Sequence, residues 1–171
     1  MRTSGDDDRA RVPARGVRFF RDVSKFRRPL TEVFAFFSNA RDLECIRPPG
    51  LQVEILSDET PMGEGLLIDY AVTLRGVPFR WRSRIRDWNP PAGFVDEQVS
   101  GPFSYWSHRH TFTEEPDGSV LMEDIVAYRL PAWPFGEIAA PWVHRELGRI
   151  FAHRREKIRE IFGVDGEAAS S

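Results

Sequence analysis

Between Val77 and Trp88 the chain changes character at almost every residue. Val77, Phe79, Trp81, Ser83 and Ile85 fall on one parity, and Arg80, Arg82, Arg84 and Arg86 fall on the other. Successive side chains of a strand point to opposite faces, so a period of two sends the aromatic residues one way and the arginines the other. A helix would spread those four charges around its circumference. The segment therefore predicts a strand with one wet face and one covered face, which is the usual condition of an antiparallel sheet.

The rest of the chain supplies partners for that strand. Val17–Phe26 is rich in Val and Phe and reads as a first strand, stopped before Pro29. Leu30, Val33, Phe34 and Phe37 follow at helical spacing, with Pro29 placed where a proline opens a helix well. Asn39 is a candidate cap for a second short helix, Ala40–Ile46, ended by Pro48-Pro49-Gly50. Leu51–Leu56 and Leu66–Leu74 alternate as strands, separated by Pro61-Met62-Gly63. Arg75-Gly76 then makes a hairpin link into the arginine-bearing strand.

After Pro90-Pro91 comes Phe94–Ser100, a strand whose inward face its apolar residues do not settle. Phe103–Thr113 puts Trp106, His108, His110 and Phe112 on one face. Past the turn signal Pro116-Asp117-Gly118, Ser119–Leu130 puts Val120, Met122, Asp124, Val126 and Tyr128 together. A last helix runs from about Ile138 to Phe162. Its apolar stripe is Val143, Leu147, Ile150, Phe151, Ile158, Ile161 and Phe162, and Pro141 either begins or kinks it. The expected architecture is α+β: a curved antiparallel sheet of about seven strands around a long C-terminal helix, with two short helices after the first strand. One domain spans 16–162, between a disordered arm at 1–15 and a flexible tail at 163–171.

Charge and composition remove several function classes. Lys and Arg number 24 against 26 Asp and Glu, so no net field recruits nucleic acid or an anionic membrane. The arginine row carries no stacking aromatics on its own face, and Asp69, Glu54 and Asp58 are candidate neutralising partners; a solvated face is expected. No apolar run resembles a signal peptide or spans a bilayer, which leaves the cytoplasm by elimination. The single cysteine, Cys45, forms no internal disulfide and is expected to pack. No Gly-rich dinucleotide fingerprint is present, and no cofactor is expected. Thirteen Phe and five Trp suit a large core or an aromatic-lined cavity.

Several separated segments resemble one superfamily in order: Pro29 through Phe37, Arg47-Pro48-Pro49-Gly50-Leu51, Gly93 through Phe103, Trp106 through Phe112, Asp124 through Pro131, and Pro134-Phe135-Gly136. They look like the bacterial ligand-binding SRPBCC proteins of the START-like, polyketide cyclase-like group, over residues 17–162. The resemblance implies a helix-grip fold with a pocket between sheet and helix. Such relatives include lipid carriers, hormone receptors and polyketide cyclases, and some are fused to or encoded beside sugar-nucleotide epimerase-like domains.

Within that frame Tyr70, Phe79, Trp81 and Trp106 are either pocket wall or plain core, and Trp142 and Trp133 are expected near the sheet–helix junction or entrance. His108 and His110 share a face with Trp106, and Asp124 shares one with Tyr128 on the next strand. If those strands pair through the 114–118 turn, an Asp–His contact follows. It either satisfies a buried carboxylate and orients a ligand, or does acid–base work on a carbonyl compound with Tyr128. Two histidines on one face raise the question of zinc, which takes three or four ligands, but His144 and His153 are not spaced to complete a site and no metal is expected. Glu97 is a candidate cavity carboxylate, or part of a solvated face. The leading expectation is a binder of a small hydrophobic molecule. The alternatives are a cyclase/dehydratase-type enzyme or a module partnering an epimerase-like protein.

Overall fold

The computed structural model describes residues 15–39, 42–57, 61–132 and 135–162. The expected arm (but for Arg15), the tail, Asp58 and Trp133 lie outside those residues. Seven strands form one antiparallel sheet: β1 (Arg18–Phe26), β2 (Leu51–Ile55), β3 (Leu67–Leu74), β4 (Val77–Asn89), β5 (Gly93–Ser100), β6 (Tyr105–Glu114) and β7 (Val120–Arg129). Their order is β1-β7-β6-β5-β4-β3-β2. Two α-helices complete the fold, α1 (Leu30–Phe37) and the long α2 (Ala140–Phe162). Sheet and C-terminal helix together make a START-like helix-grip.

One expected element takes a different form. The second short helix is a single 3₁₀ turn, Asp42–Ile46. Pro48-Pro49 closes the stretch soon after, and a residue before proline is steered out of helical geometry, so there is room for little more than one turn. Pro141 lies in the first turn of α2, where its missing N–H costs nothing, and does not interrupt the helix.

Register fixes which side chains face inward. Tyr70 opposes Trp81, Ile85 opposes Asp96, Asp96 opposes His108, and His110 opposes Asp124. Ser83, Ile85, Phe94 and Phe112 are buried on this concave face. On the convex face Arg82 forks onto both oxygens of Asp69 at 2.7 and 2.9 Å, directly across from it in the ladder. Near its end β4 is irregular: Asp87 adopts φ 51° between the paired residues Arg86 and Asn89. The bulge reverses the parity, so Asp87 turns out to meet Arg109 at 3.0 Å and Trp88 turns in against Phe34 and Phe94.

The core is split. Beneath α1 and the C-terminal end of α2, Phe26, Phe34, Phe37, Phe94, Phe112, Met122 and Ile158 pack solidly. Beneath the N-terminal half of α2, the buried cluster comes only from β7, α2 and the residue joining them: Val126, Tyr128, Leu130, Ala140, Val143, Leu147 and Phe151. Each fully buried side chain of this size contributes about 1.5–3 kcal/mol. Among the described residues, no side chain of β2, β3 or β4 joins that second cluster. The helix leans on β1 through Phe20 and Phe151, whose ring centroids are 5.0 Å apart.

Candidate functional site

The site begins with the pairing of β6 and β7. Because His110 and Asp124 are cross-strand partners, and His108 lies two residues along on the same face, one carboxylate meets both imidazoles. His108 Nε2 is hydrogen-bonded to Asp124 Oδ1 at 2.8 Å. His110 Nδ1 comes equally close to the same oxygen, but not along a hydrogen-bonding direction, and it has no other partner. The two rings lie 3.9 Å apart. From α2, Arg154 brings Nη2 to 3.6 Å from Asp124 Oδ2, and its guanidinium sits over the rings of Phe37 and Phe151. Its Nε and Nη2 are buried without a hydrogen-bond partner.

These contacts set the charges. Burial alone would push the Asp124 carboxyl up, but Arg154, the His108 hydrogen bond and the adjacent His110 hold it well below the usual carboxylate range. Burial, reinforced by His108 beside it, pulls His110 down to about 3, so it is neutral at physiological pH. The result is an ionised carboxylate that orients His108, with a neutral imidazole and a cation around it. His108, His110 and Asp124 also place three ligand atoms within 4.8 Å of one another, a set that could hold a metal ion. Arg154 opposes a divalent cation there.

The side chains beneath the helix are not sealed. His108 is 13% accessible and Arg154 12%, although both lie between sheet and helix. Tyr70, Phe79, Trp81 and Trp106 face inward and are only half-buried. Water therefore reaches these inward-facing side chains in part. Trp81 meets Trp106 edge-on at 5.3 Å, and Phe103 closes on both. Phe103 is pinned by Gln98, whose amide bonds its backbone at 2.8 and 3.3 Å. A recess of about 450 Å³ opens at the sheet margin where β5 ends next to β4, lined by Tyr70, Trp81 and Ser100 together with the convex-face residues Asp69, Arg80 and Arg82.

Across this space runs a clasp. Glu146 on α2 is buried and takes Arg75 on one oxygen and Arg149 on the other; Arg149 also donates to Pro49 O at 3.2 Å. The tip of the β3–β4 hairpin, the helix and the loop before β2 are thereby tied together.

Of the expected site residues, Glu97 needs correction. Glu97 opposes Arg84 and Ser107 on the convex face and meets Arg86 at 3.5 Å, so it does not enter the concave space. The inward carboxylate of β5 is its neighbour Asp96. Trp142 is 45% exposed, because Val143 takes the inward position on that turn of α2. Tyr128 faces inward but is fully buried, its hydroxyl unpartnered. Cys45, expected to pack, is exposed and donates to Asp42 O at 2.8 Å.

Sequence reasoning missed Asp96, Ser83 and Arg154. Arg154 was legible: it follows Phe151 by three and precedes Ile158 by four, on the apolar stripe itself.

No protein-family model matches the chain, and no curated protein sequence does. Solved structures do. A START superfamily protein from Mycobacterium smegmatis superimposes with a TM-score of 0.64 at 11% identity, covering 84% of this chain and 96% of its own. The Zhui aromatase/cyclase from Streptomyces sp. R1128 gives 0.62 at 18% identity, over 88% and 99%. Norcoclaurine synthase from Thalictrum flavum, solved with dopamine and hydroxybenzaldehyde, gives 0.61 at 13% identity, over 87% and 90%. At these identities the likeness defines the fold, and the fold is that of the START-like, cyclase-like proteins. The comparisons lend no support to an epimerase-like partner. Among the described residues, no helix is long and apolar enough to cross a membrane.

Proposed function

We propose that the protein binds a small, largely apolar molecule between the sheet and α2, without obligatory catalysis. The observation that carries this is the half-buried aromatic wall of Tyr70, Phe79, Trp81 and Trp106, which faces inward and runs to a polar end at His108 and Asp124. Mostly apolar walls with a few placed polar groups are the composition of small-molecule sites. Burying about 300 Å² of apolar ligand surface is worth about 7 kcal/mol before association costs, short of the roughly 8 kcal/mol of a micromolar complex, so the polar end must contribute as well. A reducing, cytoplasmic setting belongs to this reading, with its single cysteine. Native mass spectrometry of the full chain, with solvent extraction of what travels with it, is the test. A co-purified apolar molecule at one per chain supports the reading; no adduct, and no thermal shift across a hydrophobic library, overturns it.

A second reading is favoured by one contact. The His108–Asp124 hydrogen bond, with its carboxylate held ionised, is the arrangement of an oriented general base. A cyclase/dehydratase-type enzyme would use it to move a proton beside a carbonyl. Turnover of a polyketide-like carbonyl compound, lost in His108→Ala and Asp124→Asn, supports that reading, and its absence leaves a binding protein.

A further inference from the structure

We propose that Asp96 reads the polar end of the bound molecule, donating a hydrogen bond to a carbonyl oxygen next to His108. The inference rests on the binding function proposed above, since it requires a ligand against the concave face.

Asp96 projects inward, opposite Ile85 on one side and His108 on the other. It lies deep in the protein yet keeps part of its surface accessible, the condition of a group lining an interior space. Its orientation is fixed by a relay on β4. Trp81 Nε1 donates to Ser83 Oγ at 2.9 Å, and the fully buried Ser83 hydroxyl donates to Asp96 Oδ1 at 2.6 Å. The second oxygen, Oδ2, has no hydrogen-bond partner among the described residues. One half of the carboxyl is thus anchored by Ser83, and the other is left for a ligand on the partly accessible inward side of β5.

The groups facing Asp96 are the Tyr70 hydroxyl from β3, Ser83 from β4, which Trp81 holds, and His108 from β6; among the described residues no guanidinium or ammonium pairs with it. Burial pushes its carboxyl up, against the Ser83 hydrogen bond and His108. Asp124, on the other side of His108, moves the opposite way because Arg154 stands beside it. Two carboxyls driven apart around one imidazole divide into a donor and an acceptor. A carboxyl that burial pushes toward its neutral form suits an uncharged acceptor oxygen. An added carboxylate would stand near Asp124, and an ammonium would want Asp96 ionised. The ligand class is therefore a neutral carbonyl compound with an apolar body.

The test uses three probes of equal length, methyl octyl ketone, decane and decylamine, each displacing a fluorescent naphthalene sulfonate dye from the full chain. The ketone is expected to bind wild type about tenfold more tightly than the alkane, the value of one buried hydrogen bond. Asp96→Ala brings ketone affinity down to that of decane and leaves decane unchanged. Asp96→Asn, whose amide still donates, retains most of the preference, and Glu97→Gln retains all of it. The infrared carbonyl stretch of the bound ketone is lowered in wild type and Asp96→Asn but not in Asp96→Ala. Equal binding of ketone and alkane, a ketone preference surviving in Asp96→Ala, or a preference for decylamine would each overturn the assignment. If wild type binds none of the probes and leaves the dye in place, the binding function itself fails.

Discussion

His110 and Asp124 occupy one register position of the β6–β7 ladder, and a single carboxylate oxygen lies within 2.8 Å of both His110 Nδ1 and His108 Nε2. Asp124 is also the only described anion that balances Arg154, which is otherwise enclosed by rings. Asp124→Ala should therefore cost about 3–5 kcal/mol in urea unfolding at neutral pH, because it strands a buried guanidinium. Asp124→Ala combined with Arg154→Met should cost clearly less than the sum of the single changes. Additive losses would show that the two groups are not coupled.

The pH dependence follows from His110. Its folded value, about 3, lies below the ordinary 6.5, so between those limits the unfolded chain binds the extra proton. Stability from this group is full above pH 6.5 and is lost as pH falls toward 3, at up to about 1.4 kcal/mol per pH unit. The groups around it are His108 on its own strand, Asp124 from β7, Phe94 from β5 and Arg154 from α2. Asp124, with its lowered carboxyl, adds a further loss only in stronger acid, while the raised Asp96 carboxyl acts in the opposite sense and favours the folded state in acid. Urea midpoints measured across this range should flatten in His110→Gln.

A steric prediction concerns the start of β5. A Cβ on Gly93 would sit 2.2 Å from His110 O, and the backbone there has φ 155°. Neither the backbone oxygen nor the paired strand can give way, so Gly93→Ala should destabilise by about 3 kcal/mol or more and disturb the histidine pair. Gly63→Ala is the control: nothing lies within 4 Å of its Cβ position, and the change should fall within about 0.5 kcal/mol.

The Glu146 clasp makes a kinetic prediction. Arg75 is half-exposed, so its ion pair adds little to global stability. Its effect is local: without it the β3–β4 hairpin tip is no longer tied to α2. In Glu146→Gln, amide exchange at residues 75–77 should accelerate about tenfold, and ligand release should quicken, with equilibrium affinity changing less. Unchanged exchange at the tip would show that the hairpin is held by its own ladder alone.

The alternation of Val77–Ile85 made the sheet legible, and seven strands, their order in the chain and the long final helix all followed from periodicity. The face of β5 did not. Phe94 and Val95 are both apolar and both buried, Phe94 in the core and Val95 on the outer face between Arg86 and Arg109, whose aliphatic stems can cover it. With parity hidden, Glu97 and Asp96 were indistinguishable by pattern, and only the ladder separates them. Trp142, expected near the sheet–helix junction or entrance, is 45% exposed, and Val143 holds the inward position beside it. The His108–Asp124 contact was legible because a strong turn, Pro116-Asp117-Gly118, fixed which strands pair. Arg154 was legible by its spacing on the apolar stripe but is easily counted, by its charge, with the solvent-facing arginines.

The central claim is that a small apolar molecule lies against the concave face, and the tryptophans report on it directly. Two-dimensional NMR of the uniformly nitrogen-labelled protein, titrated with methyl octyl ketone, should shift the indole N–H signals of Trp81 and Trp106 to saturation. Trp88, locked between Phe34 and Phe94, and the exposed Trp142 should stay in place. Shifts confined to Trp142, or a spectrum that does not change at saturating ketone, would contradict the account.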